Sequence, residues 1–326
     1  MGYHASDMTD ELLPSHSWKS SVRCPRCFSS VENFEIRPVC SNVSCNHNKA
    51  GFPVVNSQPV LIDFEDSIFD RAMYESDQTS ALPRDVSLRS FGSRLHQFIS
   101  GKNPIAAKNF DAFRKYLRSD RRRPVVLVIG GGTIGSGADQ LYNDSSVELV
   151  GTDVYASPHT HLVADAHKLP FQDGTFDGVW IQAVLEHVLE PATAVAEIHR
   201  VLRPAGLVYA ETPFMQQVHE RAYDFTRFTQ SGHRWLFRRF EEIDAGPIGG
   251  PGVALIWSIR YFARALGAGD KVSRLISLPF FWLRFLDAFG RGRAVADAAS
   301  GFFFLGRRSE ETLTPQAMPH YYERQK

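Results

Sequence analysis

Apolar runs and polar gaps divide this chain unevenly, and the most regular pattern starts at Val125. PVVLVIG (124–130) is a continuous apolar run closed by glycine, the pattern of a strand buried on both faces of a parallel sheet. VELVGTD (147–153), HLVAD (161–165), GVWIQAV (178–184) and GLVYAET (206–212) predict four more strands. EEIDAGP (241–247) and GFFFLGRR (301–308) predict a sixth and a seventh. Between them PATAVAEIHRVLRP (191–204) predicts a helix with Ala194, Ile198, Val201 and Leu202 on one face. The alternation predicts an α/β fold built on a doubly wound, seven-stranded sheet, whose ligands bind where the parallel strands end.

The pattern upstream is looser. Residues 1–20 are expected to be a flexible N-terminus, and 21–64 a small module finished by short strands in GFPVVNSQPVLIDF (51–64). Residues 65–90 are acidic and polar, contain Pro83 and show no period. From 91 to 117, Leu95, Phe98, Ile99, Phe110, Phe113 and Leu117 recur at helical spacing, so 65–123 reads as a linker and helical lead-in. The run Arg121-Arg122-Arg123 before Pro124 reads as a solvated cap, the main domain as 124–308, and 309–326 as a tail.

Composition narrows the classes. At about 150 residues per domain, 326 residues suggest about two folding units. With 43% hydrophobic and 22% charged residues, wholesale disorder is excluded. Lys+Arg and Asp+Glu number 36 each, so no net charge draws the protein to nucleic acid. No run of about 18 apolar residues suggests a spanning helix. The start, MGYHASDMTDELLPSHSW, lacks the basic and apolar regions of a secretory signal, so a cytoplasmic setting with reduced thiols is expected.

All four cysteines, Cys24, Cys27, Cys40 and Cys45, therefore need a role other than disulfides. Their spacing, C-x2-C-x12-C-x4-C, offers two close pairs across a short loop, which suits a tetrahedral structural zinc with no open position. His47 is an alternative fourth ligand to Cys45, and a chance cluster of thiols is the plain alternative.

The first strand of the main domain ends in Gly130, Gly131, Gly132 and Thr133, followed by Gly135 and Gly137. Glycines let a ligand approach the backbone, and the next helix offers free N–H groups. The second strand ends in Asp153, placed to accept from both hydroxyls of a ribose. Up to this point a dinucleotide and an adenosyl cofactor fit equally.

Further on, VADAHKLPFQDGTFDGVWIQAVLEHVLEP (163–191) and EIHRVLRPAGLVYAETP (197–213) carry Asp165-Ala166, Leu169-Pro170-Phe171, Phe176-Asp177, Leu185-Glu186-His187-Val188 and an LRPAG turn in order. This series resembles the class I S-adenosylmethionine-dependent methyltransferases over about 124–245. The resemblance implies their Rossmann-like strand order, with an antiparallel hairpin of the last two strands at one edge. It also implies that Gly130 to Thr133 receive the methionine part of S-adenosyl-L-methionine, and that Asp153 holds the ribose with Val154 beside the adenine. Asp165 and the Ala166 N–H would then meet the adenine, and Gln182 would line the methionine side. Two positions depart from the family: Val128 stands where an acidic residue is usual, and Ile134 replaces a glycine.

Methyl transfer from a sulfonium needs an aligned nucleophile and, for a hydroxyl, a proton acceptor. ETPFMQQVHERAYDFTRFTQSGHRWLF (211–237) resembles a segment of methyltransferases that modify saccharides or other small molecules. It implies His219 as general base, with His187 as a second candidate, and Tyr223, Asp224 and Arg227 on the acceptor side. Arg227 is expected to bind an anionic group; an internal Asp224–Arg227 ion pair is the competing expectation.

The long detour at 253–297 holds seven basic and three acidic side chains. In VALIWSIRYFARALG, Leu255, Ile259, Phe262 and Leu266 share a face opposite Arg260 and Arg264, and the longest uncharged run, Leu275 to Leu283, is too short to span a bilayer. The pattern suits a helix lying in an anionic membrane interface, on the inner face of the membrane; a lid over the acceptor site or a homodimer contact fits equally. The expected function is therefore a zinc-ribbon methyltransferase acting on a small molecule or a saccharide, lipid-linked or free, most simply at oxygen. Two alternatives stay open: a ribosomal RNA methyltransferase, thinly supported because residues 21–50 carry only Arg23, Arg26, Arg37 and Lys49 as basic groups, and a cofactor-binding scaffold without turnover. A nicotinamide oxidoreductase would leave the LPF, FD and LEHV motifs without a role.

Overall fold

A computed structural model describes residues 18–75, 104–117 and 123–324. The expected elements on Leu95, Phe98 and Ile99, and the run at Arg121 and Arg122, lie outside the described residues. The apolar run after Pro124 forms β5 (Val125–Ile129), and β6 (Glu148–Asp153), β7 (Leu162–Ala164), β8 (Phe176–Gln182) and β9 (Leu202–Pro213) follow it. The last two strands are β10 (Phe240–Gly249) and β11 (Gly301–Arg308). β7, β6, β5, β8 and β9 pair in parallel in that order, and β11 and β10 then pair antiparallel at the far edge. The predicted doubly wound sheet with its terminal hairpin is thus present.

At the opposite edge the expectation needs correcting. The short strands β1 (Val31–Glu32) and β2 (Val39–Cys40) pair with each other beside the cysteines, but β3 (Val54–Val55) and β4 (Gln58–Leu61) do not close a separate small module. β4 pairs in parallel with β7, Val60 against Val163, and the hairpin extends the central sheet to nine strands. Both faces of Leu61 and Val60 are buried, so the hairpin gains apolar burial that a free ribbon could not supply. Trp18, Val22, Cys24, Cys40 and Phe52 share one core with Phe171, Phe176 and Ile198. Residues 18–20, expected to be flexible, form a short turn whose Trp18 ring packs against Phe34, His161 and Phe171.

Helices cover both faces of the sheet. The helix Pro104–Leu117 lays Phe110 and Phe113 edge-on against Trp180 of β8, which in turn lies 4.0 Å from the Tyr209 ring. Gly178 makes that contact possible, because a Cβ there would run into the Phe113 ring and Leu117. On the other face the helix Pro191–Val201 buries Ala194, Val195, Ile198 and Val201. It ends three residues before the predicted end, since Pro204 pushes Arg203 out of helical conformation and β9 begins at Leu202. Among the described residues no helix is long and apolar enough to cross a membrane.

The detour between β10 and β11 is a compact helical roof. Its first helix, Pro251–Ala265, starts under the carboxylate of Asp287, which accepts from the Gly252 and Val253 amides at 2.7 and 3.2 Å. That carboxylate satisfies two of the orphan donors at the helix start. The tail is not loose: residues Ala317–Arg324 form a helix, with the Tyr322 hydroxyl on Asp297 at 3.1 Å.

Behind β11, His233 sits among Phe228, Phe237 and Phe304 with its Nε2 unpartnered. Burial pushes the imidazole down to about 3. Below its ordinary value of 6.5 the unfolded chain takes up a proton that the folded chain refuses, so stability falls with pH from about 6.5 toward 3. One such group supplies at most about 1.4 kcal/mol per pH unit. His233→Leu is therefore expected to flatten the decline in urea midpoint between neutral and acid pH, whereas parallel declines in variant and wild type would contradict it.

Candidate active site

The parallel strands end at one rim, and a cavity of about 1050 Å³ opens there. This is at the upper end of small-molecule sites, which run to about 1,000 Å³, so a cofactor and an acceptor fit side by side. One half is built from the first three parallel strands. At the end of β5 the chain turns through Gly130 with φ +76°, where a Cβ would strike the Val184 side chain. The Gly131 amide donates to the Thr152 carbonyl at 2.9 Å and the Gly132 amide to Asp153 Oδ2 at 2.8 Å, so both clamp the turn to the tip of β6. Gly130 and Thr133 line the cavity.

Asp153 and Asp165 lie at neighbouring strand tips, 9% and 5% exposed. Asp153 also accepts from the Val154 amide at 2.7 Å. A carboxylate offers about four lone-pair positions, so these amide bonds hold it in place and still leave it able to accept from a ribose. Asp165 is more fully engaged, by the Ser67 hydroxyl at 2.6 Å, the His167 amide at 3.0 Å and His167 Nδ1 at 2.6 Å. Burial pushes this carboxyl up, but the His167 and Ser67 bonds outweigh it and hold it below the ordinary range. Val154 and Ala166 line the cavity beside the two aspartates. Gln182 donates to Glu211 Oε2 at 2.8 Å and to the Ser136 carbonyl at 3.0 Å, and its side chain fills the space a Cβ on Gly135 would take.

Histidines and the helical roof line the rest of the cavity. His187, His219, Glu220 and Tyr223 line one wall; Val253, Trp257, Phe285 and Val295 of the helical roof line the other. His187 Nδ1 is 2.7 Å from the Tyr223 carbonyl, and burial pushes the imidazole below its ordinary value. The two histidine rings meet edge-on at 4.9 Å. His219 Nδ1 stands 3.2 Å from Asp224 Oδ2.

Arg227 is not placed to bind an anionic ligand, and here the first expectation is corrected. Its Nε donates to the Gln216 carbonyl, Nη1 to Asp224 and the Thr226 carbonyl, and Nη2 to Asp224 and the Gln217 carbonyl. All five N–H groups are spent inside the protein, with the fork closed on a carboxylate that is 1% exposed. Burial raises Asp224, but Arg227 and the His219 amide bring it down to about 2. Asp224 and Arg227 thus order the loop that carries His219. Tyr223 contributes its backbone carbonyl to His187, and its ring stacks on Phe69.

At the other end of the chain the four cysteine sulfurs lie within 4.8 Å of one another. Cys24 and Cys45 Sγ are 3.8 Å apart and Cys27 and Cys40 Sγ 3.4 Å, too far for disulfides and close to the edge of about 3.8 Å that four Zn–S bonds of about 2.3 Å imply. Cys27 is drawn down to about 6: burial opposes this, and hydrogen bonds from Ser29 and the neighbouring thiols prevail. His47 is not in this cluster; it stacks on Phe52 at 4.3 Å.

Several residues of the site were not singled out from sequence. Ser67 and Phe69 fall in the stretch expected to be linker, yet one holds Asp165 and the other backs Tyr223. Tyr74 donates to the Val154 carbonyl at 2.9 Å. Glu211, 3% exposed and bonded by the Tyr209 hydroxyl, puts a carboxylate into the wall that Val128 leaves apolar. A lone acid ending the apolar run GLVYAET was its available signal. Glu186 is 1% exposed, and burial pushes its carboxyl up to about 8.

Comparison with known proteins bears on this site. Residues 133–210 match the methyltransferase domain family. A ubiquinone/menaquinone biosynthesis C-methyltransferase of Saccharophagus degradans is 34% identical over 128 residues, which are 38% of this chain and 48% of that protein. A demethylmenaquinone methyltransferase of Streptomyces avermitilis is 50% identical over 91 residues, 26% of this chain and 39% of that protein. The chain therefore spans about half or less of the length of these relatives. A phosphoethanolamine N-methyltransferase of Haemonchus contortus, solved with S-adenosyl-L-methionine, aligns with a TM-score of 0.44 at 17% identity over 69% of this chain and 59% of that one.

Proposed function

Since the chain carries a class I, S-adenosylmethionine-dependent methyltransferase domain, we propose that it transfers a methyl group to an oxygen of a small molecule or saccharide held on an apolar carrier. The observation that carries this proposal is the divided cavity. Two aspartates and a glycine turn stand on one side, and a pair of histidines stands on the other beneath an apolar roof.

Gly130, Thr133 and Gln182 would hold the methionine part of the cofactor, Asp153 its ribose, and Val154, Asp165 and Ala166 its adenine. The fit is supported by the two buried carboxylates at neighbouring strand tips, which line the cavity together with Gly130 and Thr133. When bound, S-adenosyl-L-methionine supplies a methyl group on a positively charged sulfur. The chain then has to align the acceptor oxygen and remove its proton. His219, with His187 beside it, takes the proton from the acceptor's hydroxyl as its oxygen receives the methyl group, and Asp224 fixes the His219 ring. Trp257, Phe285 and Val295 exclude water from above. The cysteine cluster, as a structural zinc site, steadies the same cavity at a distance. Arg26 in its first knuckle bridges Asp63 and Glu65, two residues from Ser67.

The apolar carrier follows from the roof. Its outer face exposes large apolar side chains from Leu255 to Phe289, with Phe262 66%, Trp282 48% and Phe289 77% exposed. Lys271, Arg274 and Arg291 stand exposed among them. Apolar side chains with cations at their margin suit an anionic lipid surface. The protein would accordingly work in the cytoplasm, peripheral on the membrane's inner face. An RNA acceptor is less well supported, because Arg23 and Arg26 are bound up with Gln172, Asp63 and Glu65.

Two outcomes are expected. With methyl-labelled cofactor and a cell extract, the wild-type chain labels a lipid-extractable product; His219→Ala loses at least about 100-fold in turnover and keeps its affinity for S-adenosylmethionine, whereas unchanged turnover removes His219 from the mechanism. The full chain also sediments with phosphatidylglycerol vesicles at low salt and less so after Trp282→Ser; no sedimentation, or a stable dimer burying this face, would exclude the membrane.

A further inference from the structure

Glu186, His187 and His219 present a set of donors that the proton chemistry above does not account for. Glu186 ends the turn after β8 and is 1% exposed, yet neither of its carboxylate oxygens has a hydrogen-bond partner. A buried carboxylate without partners is costly, so a chain that keeps one has something to hold with it. His187 Nε2 lies 3.6 Å from its Oε1.

The tautomers follow from the second ring nitrogens. His187 Nδ1 lies 2.7 Å from the Tyr223 carbonyl, which can only accept, so Nδ1 carries the proton and Nε2 a lone pair. His219 Nδ1 faces Asp224 Oδ2 at 3.2 Å and the Gln217 carbonyl at 3.4 Å, both acceptors, so its Nε2 is likewise a lone pair. The two imidazoles and the carboxylate meet at one place, with no hydrogen bond linking Glu186 to either ring. Each histidine is oriented through its far nitrogen by a carbonyl or a carboxylate, the arrangement that orients metal-ligating histidines. Arg227, closed on Asp224, completes that outer support.

We propose that Glu186, His187 and His219 form a binding site for a divalent first-row metal ion at the acceptor end of the cavity. One ligand atom from each of the three lies within 4.8 Å of the others. Ligands about 2.1 Å from a shared ion and on one side of it stand about 3.0 to 3.4 Å apart, so the cluster closes by up to about 1.8 Å on binding. The outermost ligand, His219, is on the rim and 27% exposed in its side chain, which leaves it the most room to move. Two histidines and one carboxylate on one side of an ion leave positions open toward the cavity, the ligand set of Zn²⁺, Fe²⁺ and Mn²⁺ sites that take a substrate oxygen. An acceptor with a hydroxyl, or a hydroxyl beside a carbonyl, would occupy them. This site deepens the methyl-transfer reading and replaces the proton-taking part given there to His219, since one lone pair cannot both hold an ion and take a proton, while its existence rests on the geometry of the three side chains.

Manganese separates this site from the cysteine cluster, because Mn²⁺ prefers nitrogen and oxygen donors to thiolates. The full chain, freed of exchangeable metal and with its zinc content measured, is titrated with Mn²⁺ and followed by electron paramagnetic resonance. One bound Mn²⁺ per chain is expected, weakened at least about tenfold by Glu186→Gln and by His219→Ala, since each removes one of three protein ligands. Should Glu186→Gln fail to fold by circular dichroism, His219→Ala at the rim decides. No bound Mn²⁺ in the wild type, or equal binding in His219→Ala, overturns the site. Because loss of turnover in His219→Ala follows with or without the ion, the titration fails independently of the methyl-transfer proposal.

Discussion

Two carboxylates buried at neighbouring strand tips are the constraint around which this molecule is arranged. Taking Asp153 and Asp165 out of water is costly unless hydrogen bonds compensate, and each is held by bonds from different parts of the chain. Gly132 and Val154 supply amides to Asp153, tying the turn after β5 to the end of β6. The Ser67 hydroxyl and the His167 amide donate to Asp165, tying an N-terminal segment to the end of β7. Parallel pairing of β5 with β6 and of β6 with β7 sets the spacing of the tips, and the glycine turn can be tight because Gly130 adopts a left-handed conformation.

That dependence explains why the N-terminal residues are built into the sheet. The hairpin of β3 and β4 covers the edge of β7, which would otherwise present an unpaired strand beside the cavity. Arg26, Lys168 and Asp63 connect the cysteine cluster to the segment that carries Ser67. The roof between β10 and β11 forms the opposite wall of the cavity, with Asp287 capping the helix that carries Trp257.

Much of this was legible in the sequence, for physical reasons that differ by residue. The parallel strands announce themselves because burial on both faces demands unbroken apolar runs such as VVLVI. Asp153 stands out as an acid at a strand end, where such sheets meet ligands, whereas Asp165 and Gln182 were singled out only through the family resemblance. The addition of β4 to β7 was hidden, since pairing across 98 or more residues leaves no local pattern. Arg227 was ambiguous: a spacing of three from Asp224 fits an internal pair as well as a ligand clamp, and only the count of its donors decides. Glu186 was masked by its place in a recurrent LEHV turn, where a carboxylate looks ordinary until its lack of partners is seen.

The central claim is that these strand tips receive an adenosyl sulfonium, and calorimetric titration of the full chain with S-adenosylmethionine tests it most directly. One site per chain is predicted in the wild type, weakened at least about tenfold in Asp153→Ala by the loss of hydrogen bonds to a charged group. A wild-type chain that binds none, or an Asp153→Ala chain that folds and binds equally well, would contradict the account.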